Sequence, residues 1–122
     1  MIEFINEGEG KLVGIRVTGT LSDADYREVL IPRLEAIFAE HGKLDLLVHF
    51  TEGFKGWDLK AAWDDAAFGL KHRTDFGKLA VVGAPNWVDW CIKLSGFLWK
   101  GEIRVFPAEE LAAAWRWLKG ET

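Results

Sequence analysis

A single cysteine, Cys91, stands in the chain, so no disulfide can close within it. A fold that does without disulfides suits a reducing compartment, and a cytoplasmic location is expected. Positive charge is also in short supply: 15 Lys and Arg face 19 Asp and Glu, leaving a net charge of -4. Binding to nucleic acid without regard to sequence draws on clustered Lys and Arg meeting phosphates, so nucleic acid is not expected among the partners. No apolar run approaches the roughly 20 residues that cross a bilayer, and residues 1–11 lack the basic flank and apolar centre of a signal peptide. No transmembrane segment is expected.

Catalytic signatures are missing as well. His41, His49 and His72 show no metal-ligand spacing, and two of them sit at predicted helix carboxyl ends, where a cation meets free carbonyls. No Ser, His and Asp set, GxSxG elbow, phosphate-binding Gly-Lys motif or GxGxxG follows any predicted strand. No catalytic residue, metal or cofactor is therefore expected, and the chain is read as a non-enzyme.

What the chain does have is apolar bulk. Forty-nine per cent of the residues are hydrophobic, with seven Trp and eight Phe, which is enough for one core in one domain over residues 1–122. Ile2 and Phe4 alternate with Glu3 and Ile5. After the turn-forming residues 7–10, Val13, Ile15 and Val17 share one face of a second run, so a hairpin opens the fold. Ser22 and Asp25 resemble a capping box, with Leu21 and Tyr26 placed as its hydrophobic staple. Tyr26, Val29, Leu30, Leu34, Ile37 and Phe38 then form a helical stripe ending at His41 and Gly42, and Pro32 predicts a kink or break within it.

The stretch over residues 43–69 organises the rest. Leu44, Leu46, Val48 and Phe50 alternate as a strand. A glycine-bearing loop over 51–57 follows, and Asp58 caps a helix whose Leu59, Ala62, Trp63, Ala66, Ala67 and Leu70 have helical spacing. Residues 78–83 form the next strand, and Trp87, Trp90, Cys91, Leu94 and Leu98 an aromatic helical stripe. Residues 103–106 make a last strand, and Pro107 opens a final helix with Leu111, Ala112, Trp115 and Leu118 inward. The order implies right-handed crossovers and a mostly parallel sheet. Because Arg16, Thr18, Asp45, His49 and Arg104 occupy the second strand face, helices are expected mainly on one face, with the other partly wet or used in self-association.

Among chemical candidates, Cys91 lies with Trp87, Trp90 and Leu94, which favours packing over nucleophilic catalysis. Glu52, Asp58, Asp64 and Asp65 supply carboxylates near one strand end, but Asp58 caps a helix, and Asp64 and Asp65 fall on the side of that helix opposite Trp63 and Ala66, read as its exposed side. Phe54 and Trp57 have no periodic reason to be in a loop. Either they fold over the core as a lid, or they form a binding surface at the strand ends, where ligands of open α/β sheets lie.

Four stretches then carry a resemblance: residues 53–59 (GFKGWDL), residues 68–73 (FGLKHR), residues 78–83 (KLAVVG) with Trp87, and residues 105–106 with Ala114, Trp115 and Leu118. The chain resembles the SpoIIAA-like superfamily, which joins bacterial STAS domains with the CRAL-TRIO or SEC14-type lipid-binding fold. The similarity is to a little-characterised bacterial branch and, with the hairpin and first helix, covers nearly the whole chain. It implies an α/β fold, a β/α superhelix with a mixed, mostly parallel five-stranded sheet, an N-terminal hairpin and four helices mainly on one face.

The STAS side of the resemblance implies a regulatory module that binds another protein. Anti-sigma antagonists carry a phosphorylatable Ser in an Asp-Ser-Ser-Gly motif at the start of the helix after the central strand. Gly56, Trp57, Asp58 and Leu59 stand there in this chain, so the phosphoswitch does not carry over. Asp58 is then a fixed negative group and helix cap, and Thr51, Glu52, Phe54, Trp57 and Asp58 become the expected interaction or ligand surface. The SEC14 side implies an alternative, a small apolar ligand or lipid sheltered by Trp87, Trp90, Leu94 and Leu98. A homodimer through the polar sheet face or the aromatic helix is compatible with either.

Overall fold

Period-two runs of aliphatic and aromatic residues build a five-stranded sheet in this computed structural model, which describes residues 1–5, 12–72, 74–86 and 102–120. Strands β1 (Ile2–Phe4), β2 (Leu12–Leu21), β3 (Leu44–Trp57), β4 (Phe76–Val82) and β5 (Glu102–Phe106) lie side by side in chain order. β1 runs antiparallel to β2, with Ile2 opposite Val17 and Phe4 opposite Ile15. The remaining pairs are parallel. This is the mixed, mostly parallel sheet that the element order predicts.

Three α-helices fall among the described residues: α1 (Ile31–His41), α2 (Leu59–Lys71) and α3 (Leu111–Lys119). The aromatic helix expected at Trp87, Trp90, Leu94 and Leu98 lies outside the described residues, as does Cys91. The capping box forms as expected: Ser22 N donates to Asp25 Oδ2 at 2.9 Å, and Asp25 N to Ser22 Oγ at 3.2 Å. The predicted long helix changes type at Pro32: Asp25–Leu30 is a π-helical turn, and α1 follows directly with Pro32 in its first turn, Leu30 and Ile31 keeping right-handed helical dihedrals. The wider turn changes the register of the apolar stripe, so Tyr26 and Leu30 are buried while Val29 is left exposed.

Two expectations are corrected. Residues 51–57 are not a loop: β3 runs on to Trp57, pairing Gly19 with Phe54 and Leu21 with Trp57 on β2. β3 advances from Phe50 to Phe54 while β2 advances only from Val17 to Gly19, so the extra residues are taken up as a bulge. The second correction concerns the opposite sheet face. It is dry in its centre, where α3 packs Ala114, Trp115, Trp117 and Leu118 against Leu47, Ala80, Val82 and Phe106. Gly14 makes that approach possible, because a Cβ there would stand 2.6 Å from Trp115 Cη2. Arg16, Thr18, Asp45 and His49 remain half-buried around this cluster, and Arg104 is exposed. The first face carries the larger core, with Ile15, Val17, Leu34, Phe38, Leu46 and Phe68 among its members.

Candidate functional site

The extension of β3 decides the fate of the expected surface residues. Phe54 is only 8% exposed and sits edge-on to Phe50 and Trp57, with ring centroids at 4.7 and 5.2 Å. It is a core residue, so of the two roles open to it the lid is the one realised. Thr51 is half-buried and donates from Oγ1 to Val17 O at 3.1 Å, holding the bulge. Glu52 is exposed. Asp58 caps α2 as predicted, its Oδ1 accepting from Ala61 N at 2.8 Å.

Trp57 is half-buried and begins a polar chain. Its Nε1 donates to Tyr26 Oη at 2.7 Å, and Tyr26 Oη donates to Asp65 Oδ1 at 2.9 Å. Burial, reinforced by the Asp65 charge, pushes the Tyr26 phenol well above its ordinary value. Asp65 is exposed as a residue, but its carboxylate turns inward to this bond and is held above the usual carboxylate range by desolvation. These polar groups lie on the wall of a cavity of about 290 Å³ between the sheet and the helices. Its described lining is otherwise apolar, drawn from Val17, Leu46, Val48 and Val81 of the sheet and Leu34 and Phe68 of α1 and α2.

α2 faces the opposite way to its expected orientation. Leu59, Trp63 and Leu70 are 90%, 74% and 54% exposed, and Ala62, Ala66 and Ala67 are exposed with them. The inward face is made instead by Ala61 and Phe68, together with His72 at the carboxyl-end cap. Phe68 belongs to an aromatic group with Phe38, Phe76 and His72 that brings together α1, α2 and β4. That group and the Tyr26–Asp65 bond fix the helix rotation and leave the longer apolar stripe outside.

Two charged clusters border this helix, and in each only one ion pair, His72 with Asp75 and Asp23 with Arg27, is close in sequence. His72 is buried, stacked on Phe38 at 4.4 Å, with Nδ1 2.7 Å from Asp75 Oδ2 and Nε2 2.9 Å from Glu35 Oε1. The hydrogen bond from His72 holds the Glu35 carboxyl below its ordinary value. At the other end, the Asp23 and Asp64 carboxylates perturb one another, Asp23 lowered and Asp64 raised as when two carboxylates compete for one proton, and Asp23 Oδ1 and Asp64 Oδ2 are buried without a hydrogen-bond partner among the described residues. Arg27 and Lys60 flank Asp23 at 3.3 and 3.6 Å. No group of three or more His, Cys, Asp or Glu among the described residues is placed to hold a metal ion. No helix among them is long and apolar enough to cross a membrane.

Comparison with known proteins agrees with this architecture. No protein of curated function matches the chain. A crystal structure of an uncharacterised DUF3478-family protein with a SpoIIAA-like fold, from Shewanella loihica PV-4, is 29% identical. The match covers 97% of this chain and 92% of that one, with a TM-score of 0.77. The SpoIIAA-like family profile matches residues 12–119, which takes in β2 through α3 with both clusters and the outward face of α2. The chain belongs to the SpoIIAA-like family.

Proposed function

We propose that this protein is a non-enzymatic regulatory module that works by binding another protein through α2, and that it does so in the cytoplasm. One observation carries the reading: a continuous apolar stripe, Leu59 to Leu70 with Trp63 at its centre, lies open on a helix whose inward face is set by Ala61 and Phe68. Large apolar side chains grouped on one exposed face mark a contact surface, and a central Trp is a common anchor. In this reading Asp58 supplies a permanent negative group at the helix start, where related antagonists carry a phosphorylatable Ser.

Affinity capture with the wild-type protein and with Trp63→Glu tests it. A protein held stoichiometrically by the wild type and released by the variant, at unchanged melting temperature, is expected. Equal binding by both, or no protein contact in either, would overturn it.

A second reading, SEC14-like binding of a small apolar ligand, is favoured by the cavity, whose volume is at the low end of the ~300–1,000 Å³ typical of ligand sites. Among the described residues its walls are apolar with one polar corner at Tyr26 and Asp65, which suits a molecule with one hydrogen-bonding end. Native mass spectrometry and organic extraction of the purified protein test this. A bound apolar compound lost on Val48→Trp supports it, and a clean protein rejects it.

A further inference from the structure

We propose that the outward face of α2 is covered by the same face of a second copy of this chain, the two helices running antiparallel across a two-fold axis. The proposal rests on the reading of this face as a protein contact and names its occupant. A two-fold interface must be complementary to itself, and the stripe has that property. When Leu59 is set against Leu70 of the second copy in an antiparallel pair, Ala62 meets Ala67 and Trp63 meets Ala66. The large ring then falls against a small residue in both directions, and the alanines let the helix axes come close.

Charge points the same way. Lys60 is paired with Asp23 at 3.6 Å and Lys71 with Glu35 at 3.5 Å, so the lysines beside the stripe are balanced within their own chain. An edge without excess charge of one sign gives no reason to select a strongly acidic peptide or an anionic bilayer, and the net charge of -4 disfavours the latter. It leaves a like surface unopposed.

Area sets the strength. Trp63 is three-quarters exposed, and an aromatic side chain buries about 150–250 Å² when covered. With two leucines and three alanines, the pair would bury roughly 1,000 Å² in total, the lower limit for a specific interface. A reversible dimer is the expected result.

Sedimentation velocity across a wide concentration series reads this directly, with the weight-average mass rising from 13.8 kDa towards twice that value. Trp63→Glu should raise the dissociation constant at least tenfold. Ala66→Trp should do the same, since it sets ring against ring, whereas nonspecific stickiness would make that variant associate more tightly. Both positions are exposed, and circular dichroism melts confirm that the variants fold. A mass that stays at the monomer value overturns the dimer, and so does a dimer indifferent to both substitutions. If the protein is monomeric yet captures a different protein through Trp63, the protein-contact reading stands and only its occupant is wrong. If neither contact forms, both fall.

Discussion

His72 joins three separate pieces of chain: Glu35 from α1, its own position at the end of α2, and Asp75 at the approach to β4. The imidazole meets one carboxylate with each ring nitrogen. Replacing it with Ala removes the stack on Phe38 and leaves two carboxylates facing one another, a loss of about 2–4 kcal/mol by denaturant unfolding. Glu35, held below its ordinary 4.5, stabilises the fold above that value and loses its contribution as pH falls through the lowered one. The fall in melting temperature below pH 4.5 should therefore be shallower in His72→Gln. Asp64 behaves in the opposite sense. Its raised value means that its stabilising proton is present at low pH and lost as pH rises. Asp64→Asn, which keeps a donor facing Asp23 at every pH, should raise the melting temperature at pH 7 and leave it little changed near pH 3. Of these pairings only His72 with Asp75, three residues apart, has a local spacing; Glu35 with His72 and Asp23 with Asp64 are brought together by tertiary packing, which no local spacing signals.

At the level of single elements, the sequence is most readable where the chemistry is local. The Ser22 and Asp25 cap, the change of helix type at Pro32, the Asp58 cap and the left-handed Gly120 that ends α3 all follow from side chains within a turn of one another. Reading fails where a distant neighbour decides. Gly53 and Gly56 suggest a loop, but β2 continues beside them and draws them into the strand, with Gly56 taking a φ of 127° that other residues rarely adopt. α2 carries two apolar faces, and periodicity alone favours the longer; Phe38, Phe76 and Tyr26 select the other. Two substitutions check these placements. Phe54→Ala should cost about 3–4 kcal/mol, far more than an exposed loop residue would. Gly14→Val, which drives a side chain into Trp115, should cost about 1–3 kcal/mol although valine suits a strand.

For the molecule as a whole, parallel pairing and the antiparallel start are contained in the alternation of element types, whereas the sequential strand order is not, and the family resemblance points to the same architecture. The dry second sheet face was harder to foresee. Its polar residues read as a wet surface until Gly14 and α3 are seen together, with Trp115 lying across a position that has no side chain. Association through α2 also has a bulk consequence: the melting temperature should rise with protein concentration in the wild type and not in Trp63→Glu, since only the folded chain presents the stripe.

α2 stands between the cavity and the open apolar stripe. Phe68 and Asp65 line the cavity behind it, and Leu59, Trp63 and Leu70 stand in front. A molecule that wedged the cavity open would push on the same helix that a second copy would grip. The two events are then thermodynamically linked: whatever factor one imposes on the affinity of the other is returned in equal measure. Such reciprocity would let the domain convert the presence of a small apolar molecule into a change of assembly.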